Sequence, residues 1–213
     1  MFGSADRVRR DGMRDCVFSI ARSRLRALAR LALTLAALLA LAVPAHAQDA
    51  RGHAPVALPQ GNAHLQPFEA LTYLITPDAQ LDPEAALARR SDFSPVTSPW
   101  VDFGDQDGAV WLLVAVENTG ERGGEWMVDV QRPFVDDLSV TKIAPDGSHE
   151  TLLAFDRSMP FDARPVVSQY LVAPLWMEAG EEAHILVGLT SSNGSWIPLT
   201  FAAPERMRTA HMQ

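Results

Sequence analysis

"VWLLVAV" (residues 110–116) and "EWMVDVQ" (125–131) carry the clearest pattern in this chain of 213 residues. The first run is apolar at every position, as a strand must be when both faces of its sheet are covered. The second alternates, with Trp126, Val128 and Val130 on one side and Met127, Asp129 and Gln131 on the other. That is the period of a strand with unlike faces. Working outward, "LSVTKI" (138–143) is joined to "TLLAF" (151–155) by "APDGSH", whose Pro145-Asp146-Gly147 is strong turn chemistry. "AHILVGL" (183–189) follows the turn "EAGEE", and "WIPLTF" (196–201) follows "SSNGS". Upstream, "FEALTYLITPD" (68–78) reads as a strand closed by Pro77-Asp78. "LDPEAALARR" (81–90) places Asp82 as N-cap, Pro83 at the first helical position and Glu84 in the first turn. Short strands with regular turns and one short helix predict a mainly β fold, an antiparallel β-sandwich or jelly roll.

The first 47 residues stand apart. Eight arginines precede the apolar run "LALTLAALLALAV" (31–43), and "AHA" (45–47) supplies small residues before Gln48. A basic region, a short apolar core and an Ala-x-Ala site predict a bacterial signal peptide over 1–47. The run is too short for a comfortable membrane span, and no polar stripe favours the alternative of a surface amphipathic helix. The length of the basic region makes Met13 an alternative start to Met1. Setting aside those eight arginines and three aspartates leaves 10 basic and 23 acidic residues, a net charge of −13. That charge excludes nucleic acid as a partner. The single cysteine, Cys16, lies before the apolar core, so the exported chain uses neither a disulfide nor a lipid-modified cysteine. Its core alone must hold it, and 166 residues suffice for one domain. "QDARGHAPVALPQGNAHLQ" (48–66) has prolines, small residues and no period, and predicts a flexible lead-in.

No catalytic motif is present. There is no Gly-x-Ser-x-Gly elbow, His-Glu-x-x-His pair or glycine-rich phosphate loop. The histidines are scattered without ligand spacing, so neither a metal nor a cofactor is expected. Among the tryptophans, Trp111 and Trp126 sit on apolar faces and read as core. Trp196 falls on the face opposite Ile197, Leu199 and Phe201, beside Pro198 and Thr200. There it either stacks on a sugar ring or another flat ligand, or packs under the preceding loop.

The order of these elements is similar to a known family. "YLITPD", a short helix, "WLLVAVEN" (111–118) and a W-x-V-x-V strand come in turn, followed by "PFDARP" (160–165), "YLVAPLWMEAGEEAHILVGL" (170–189) and "IPLTFAAPERM" (197–207). This resembles the type 2 extracellular domain of bacterial seven-transmembrane receptors with diverse intracellular signalling modules (7TM-DISM). The resemblance implies an extracytoplasmic sensor β-sandwich over 67–207, shaped like a carbohydrate-binding module, with 208–213 starting a linker toward the membrane. It further implies localisation in the periplasm or on that face of the inner membrane. In a full-length parent it implies seven membrane helices and a cytoplasmic output such as a diguanylate cyclase or histidine kinase. In the family, Asp156, Pro160-Phe161 and Arg164-Pro165 recur; members often carry Arg where this chain has Leu113 and Gly188, and Gly where it has Phe155.

Four residues are therefore candidate ligand contacts: Arg164, Trp196, Asp156 and Asp162. Pro160 and Pro165 restrict their loop to few shapes, which lowers the cost of holding Arg164 in one place. Arg164 either contacts a ligand or pairs with Asp156 or Asp162 and staples the loop to the sandwich. The leading functional reading is a sensor that binds a small molecule or carbohydrate. Its rivals are a structural, dimerising or partner-docking module and a secreted hydrolase with unrecognised acids; homodimerisation is left open. The mature chain from Gln48 should give a far-ultraviolet circular dichroism spectrum dominated by β-structure and a melting curve unchanged by reducing agent. A helix-dominated spectrum, or a shift on reduction, would contradict this reading.

Overall fold

The computed structural model describes residues 54–61 and 63–211, so the segment expected to be a signal peptide lies outside the described residues. Among the described residues eleven strands form two sheets. β1 (Val56–Leu58), β3 (Thr72–Thr76), β4 (Ser94–Pro95), β5 (Ala109–Asn118), β7 (Asp137–Ile143), β8 (His149–Asp156) and β10 (Glu182–Thr190) make the larger. Its order is β4-β3-β5-β10-β7-β8, with β1 added beside β5. The smaller has the order β2-β11-β6-β9, from β2 (His64–Leu65), β6 (Gly124–Val130), β9 (Leu171–Met177) and β11 (Leu199–Ala202). One apolar cluster joins them, with Val110, Leu112, Val114 and Val116 of β5 meeting Trp126, Val128, Val130 and Phe201 of the smaller sheet. The fold is therefore a β-sandwich, and nearly all its pairings are antiparallel.

The apolar run of β5, residues 110–116, has its second face covered too. Trp111 and Leu113 join Leu74, Ile143 and Leu186 under Ala86 and Phe93. Ala86 belongs to helix α1 (Pro83–Ala88), which starts as its residues dictate: Asp82 accepts from the amides of Glu84 (3.0 Å) and Ala85 (3.2 Å). Trp111 can lie flat there because Gly188, its partner on β10, has no side chain. A Cβ at Gly188 would sit 2.4 Å from the indole. β9 carries Pro174 within its run, which is tolerable because β9 is an edge strand and no neighbour needs the missing N–H.

Two expectations are corrected. The lead-in is not flexible throughout: β1 pairs in parallel with the half of β5 that β3 leaves uncovered, burying Leu58 completely, and β2 pairs with β11. The helix over 81–90 is also not alone. A second helix, α2 (Pro204–His211), occupies the stretch read as the domain end and linker. Among its described side chains Met207 is the buried apolar one, packed with Val172, Ala202, Val166 and Tyr170 on the outer face of the smaller sheet. A sequence of PERMRTAH gives no repeating apolar stripe from which a helix could be read.

The registers send four connections to one end of the sandwich. Thr190 and Asp156 both lie opposite Asp137, the first residue of β7. Val130, the last of β6, lies opposite Leu171 and Leu199, the first of β9 and β11. Ala109, the first of β5, meets Thr76 at the same end. Residues 96–108, 131–136, 157–170 and 191–198 therefore converge, while β11 carries the chain to the opposite end before α2 begins. At that far end Asn118, fully buried, donates to the carbonyls of Arg122, Met177 and Glu178 and holds the two sheets together. The contact at Gly188 is open to test: Gly188→Ala should destabilise the domain by about 1–3 kcal/mol in urea unfolding, because the indole must move. An unchanged midpoint would mean that Trp111 is not held over β10.

Candidate functional site

At the loop-bearing end the central feature is Arg132. It lies two residues past the end of β6 and precedes Pro133, which biases it toward an extended backbone. The side chain turns inward and is 8% exposed. Nε donates to the Phe134 carbonyl (3.1 Å) and Nη1 to the Trp196 carbonyl (2.8 Å). Nη2 donates to the Ser191 hydroxyl (3.2 Å) and to the carbonyls of Asn193 (2.6 Å) and Gly194 (2.7 Å). Gly194, with φ +81°, adopts a backbone shape that L side chains rarely take. One guanidinium thus ties residues 191–196 to residues 132–134. The sequence reading passed over it, although Arg132-Pro133 repeats the Arg-Pro pair it had singled out at 164–165.

Trp196 stands in the same loop. Residues 101–104 run beside it: Ile197 donates to the Val101 carbonyl (2.7 Å), Ser195 to Gly104 (2.8 Å) and Phe103 to Ser195 (3.2 Å). Ile197, Leu199 and Phe201 go into the core, as alternation requires, while Trp196 is 40% exposed. Thr200, expected on a wetter face, is instead buried, and its hydroxyl interacts with Gln131. An open groove of about 730 Å³ lies on one side of Trp196, lined by Asp102, Arg132, Pro133, Phe134, Asn193 and Trp196 itself. Asp102 spends Oδ1 on the Gly104 amide (2.9 Å). Phe134 stands 72% exposed at the groove's other wall. The groove therefore combines flat aromatic faces with a carboxylate, a side-chain amide and the edge of a guanidinium. That set suits a small cyclic ligand bearing hydroxyls.

The other three candidates lie at the end of β8 (Asp156) and in the β8–β9 connection (Asp162, Arg164), at the same end but outside the lining of that groove. Asp156 closes a turn: Ser158 donates to its Oδ1 from its hydroxyl (2.5 Å) and its amide (2.6 Å). Those two bonds, the hydroxyl's first, hold its carboxyl below the usual carboxylate range. Asp162 is exposed on a single 3-10 turn, Phe161–Ala163. Arg164 lies over two rings, 5.3 Å from the centroid of Phe155 and 5.0 Å from that of Phe161, and Nη1 donates to the Ser168 carbonyl (3.1 Å). Its buried Nε has no acceptor among the described residues. Arg164 thus staples its loop by stacking rather than through Asp156. The link from this connection to the Trp196 loop is made by Arg157, which bonds the Ser192 hydroxyl (2.9 Å) and pairs with Asp136. Asp136 in turn accepts from the Ser192 amide (2.7 Å).

The profile of the 7TMR-DISM extracellular 2 family matches residues 69–203. The chain belongs to that family. No curated protein matches it. As a 7TMR-DISM extracellular 2 domain it is a receptor-type sensor domain that works outside the cytoplasm, and such domains are not typically catalytic. Among the described residues no helix is long and apolar enough to cross a membrane.

The two arginines should behave differently when replaced. Arg132→Met strands four partly buried carbonyls at once, and should lower stability by about 3 kcal/mol. Arg164→Met keeps an apolar chain between the two rings and should cost about 1 kcal/mol, the loss of partly exposed cation–π contacts. Urea unfolding of both variants checks the order, and an Arg164→Met cost equal to or above that of Arg132→Met would reverse the assignment of the central clasp.

Proposed function

We propose that this domain is the ligand-sensing part of a bacterial membrane receptor, facing the periplasm, and that it binds a small cyclic molecule, most simply a carbohydrate, in the groove beside Trp196. The observation that carries this reading is the exposed indole fixed by the paired segments 101–104 and 195–197, with Asp102 and Asn193 alongside. A surface aromatic held in place has little ordering cost left when a ring stacks on it, and hydroxyls can reach the carboxylate and amide. Arg164 contributes by holding the neighbouring loop, with Asp156 shaping its turn and Asp162 free to face solvent. In a full-length receptor the signal would pass to membrane helices and a cytoplasmic diguanylate cyclase or histidine kinase. Such a route has a physical start here, since the loop stapled by Arg164 ends in Val166 and Tyr170, which pack against Met207 of α2.

Calorimetric titration of the mature domain with a panel of mono- and disaccharides tests the site. Trp196→Ala should weaken the binding sugar by about 10- to 100-fold, the value of a lost stacking contact of roughly 1–3 kcal/mol. Arg164→Met should weaken it by no more than about threefold. Equal affinity in wild type and Trp196→Ala would move the site elsewhere, and a panel with no binder would favour a docking module over a sugar sensor.

A further inference from the structure

Trp196 has a second groove on its other side, and the two are unlike. The first is lined by Asp102, Arg132 and Asn193. The second, of about 390 Å³, has no charged side chain in its lining: Phe68, Leu71, Trp100, Val101, Pro198 and Leu199 make most of it. Its two polar members are Gln66 and Gln131, and the Gln131 side chain is turned to Thr200 at 3.4 Å. Trp100 stands at its outer wall, 73% exposed. The turn beneath Trp100 is closed at both ends, since its amide donates to the Ser98 hydroxyl (3.2 Å) and its carbonyl accepts from Asp102 (2.9 Å). The row Phe134, polar groove, Trp196, apolar groove, Trp100 therefore lies on one scaffold. Exposing two large aromatics beside a half-exposed third forgoes burial that a core would use, and a contiguous apolar surface of this kind marks a binding region.

We infer that the second groove is an apolar subsite, and that the natural ligand is an amphiphile: a polar ring beside Asp102 and Asn193 joined to an alkyl or aryl part that crosses Trp196 and lies against Trp100. The inference rests on the sugar-binding reading for its polar half. Three features of the site favour a single bridging molecule over two independent ones. Trp196 walls both grooves. The pairing of 101–104 with 195–197 fixes Trp100, Asp102 and Trp196 relative to one another. Charge is confined to one side of the indole, so a ligand that fills both grooves must itself be polar at one end only.

The test is a series of methyl, hexyl and octyl β-glucosides, each kept below its micelle concentration and titrated calorimetrically into the mature domain, wild type, Trp100→Ala and Asn193→Ala. Trp100 is exposed and so its replacement leaves the core intact, which circular dichroism verifies. In wild type, affinity should rise with chain length, roughly two- to fourfold per methylene while the groove lasts. In Trp100→Ala the rise should flatten. Asn193→Ala should weaken every member by a similar factor and leave the rise unchanged. Affinity independent of chain length, a rise that survives in Trp100→Ala, or no binding of the octyl compound overturns the apolar subsite. A chain-length effect that needs Trp100 but ignores Asn193 keeps the subsite and removes the polar half of the reading.

Discussion

The buried guanidinium of Arg132 is the interaction on which the loop end of this sandwich depends. Charged groups are seldom taken out of water without an opposite charge. Here four carbonyls and one hydroxyl stand in for a carboxylate, and the carbonyls are half-buried acceptors whose donor is this guanidinium. The bonds run in one direction, from a single side chain to one carbonyl of its own connection and to three carbonyls and a hydroxyl of another. A backbone held by its carbonyls cannot change shape locally without losing several bonds together. Trp196 sits inside the stretch so held, and its orientation is therefore fixed by a residue that belongs to a different loop.

Sheet topology explains why these parts meet. The chain passes between sheets at nearly every connection after β5, so loops distant in sequence leave from one end. Arg132 joins the β6–β7 and β10–β11 connections, and the Asp136, Arg157 and Ser192 group joins both to the β8–β9 connection. The β8–β9 connection then continues, stapled by Arg164 between Phe155 and Phe161, to Val166 and Tyr170 under Met207. The groove and the C-terminal helix are thus linked through one stiff loop, although they begin at opposite ends of the sandwich.

Much of this was legible in the sequence, and the reasons are specific. A strand apolar on both faces requires two covering layers, and β5 has them. Asp82-Pro83 announced α1, and Pro145-Asp146-Gly147 announced the β7–β8 turn, where Gly147 has φ +87°. β1 and β2, at three and two residues, are shorter than any pattern can register. They exist because β5 and β11 offer unpaired edges. For the site, Trp196 was visible because alternation put it opposite three core residues. Arg132 was not: a single arginine at a strand end normally reads as a solvated charge, and its role comes from carbonyls some sixty residues later in the chain. Arg164 was visible as a fixed charge, but sequence favoured a nearby carboxylate as its partner, whereas two aromatic faces take that place.

Hydrogen–deuterium exchange of the Arg132→Met domain reads the central claim most directly, because it separates loop order from overall stability. If Arg132 organises the end that holds Trp196, amides of residues 191–197 should exchange at least about tenfold faster in the variant under conditions where β5 and β10 keep their protection. If those loop amides retain wild-type protection without the guanidinium, the loop is ordered by other contacts and the account of this site is wrong.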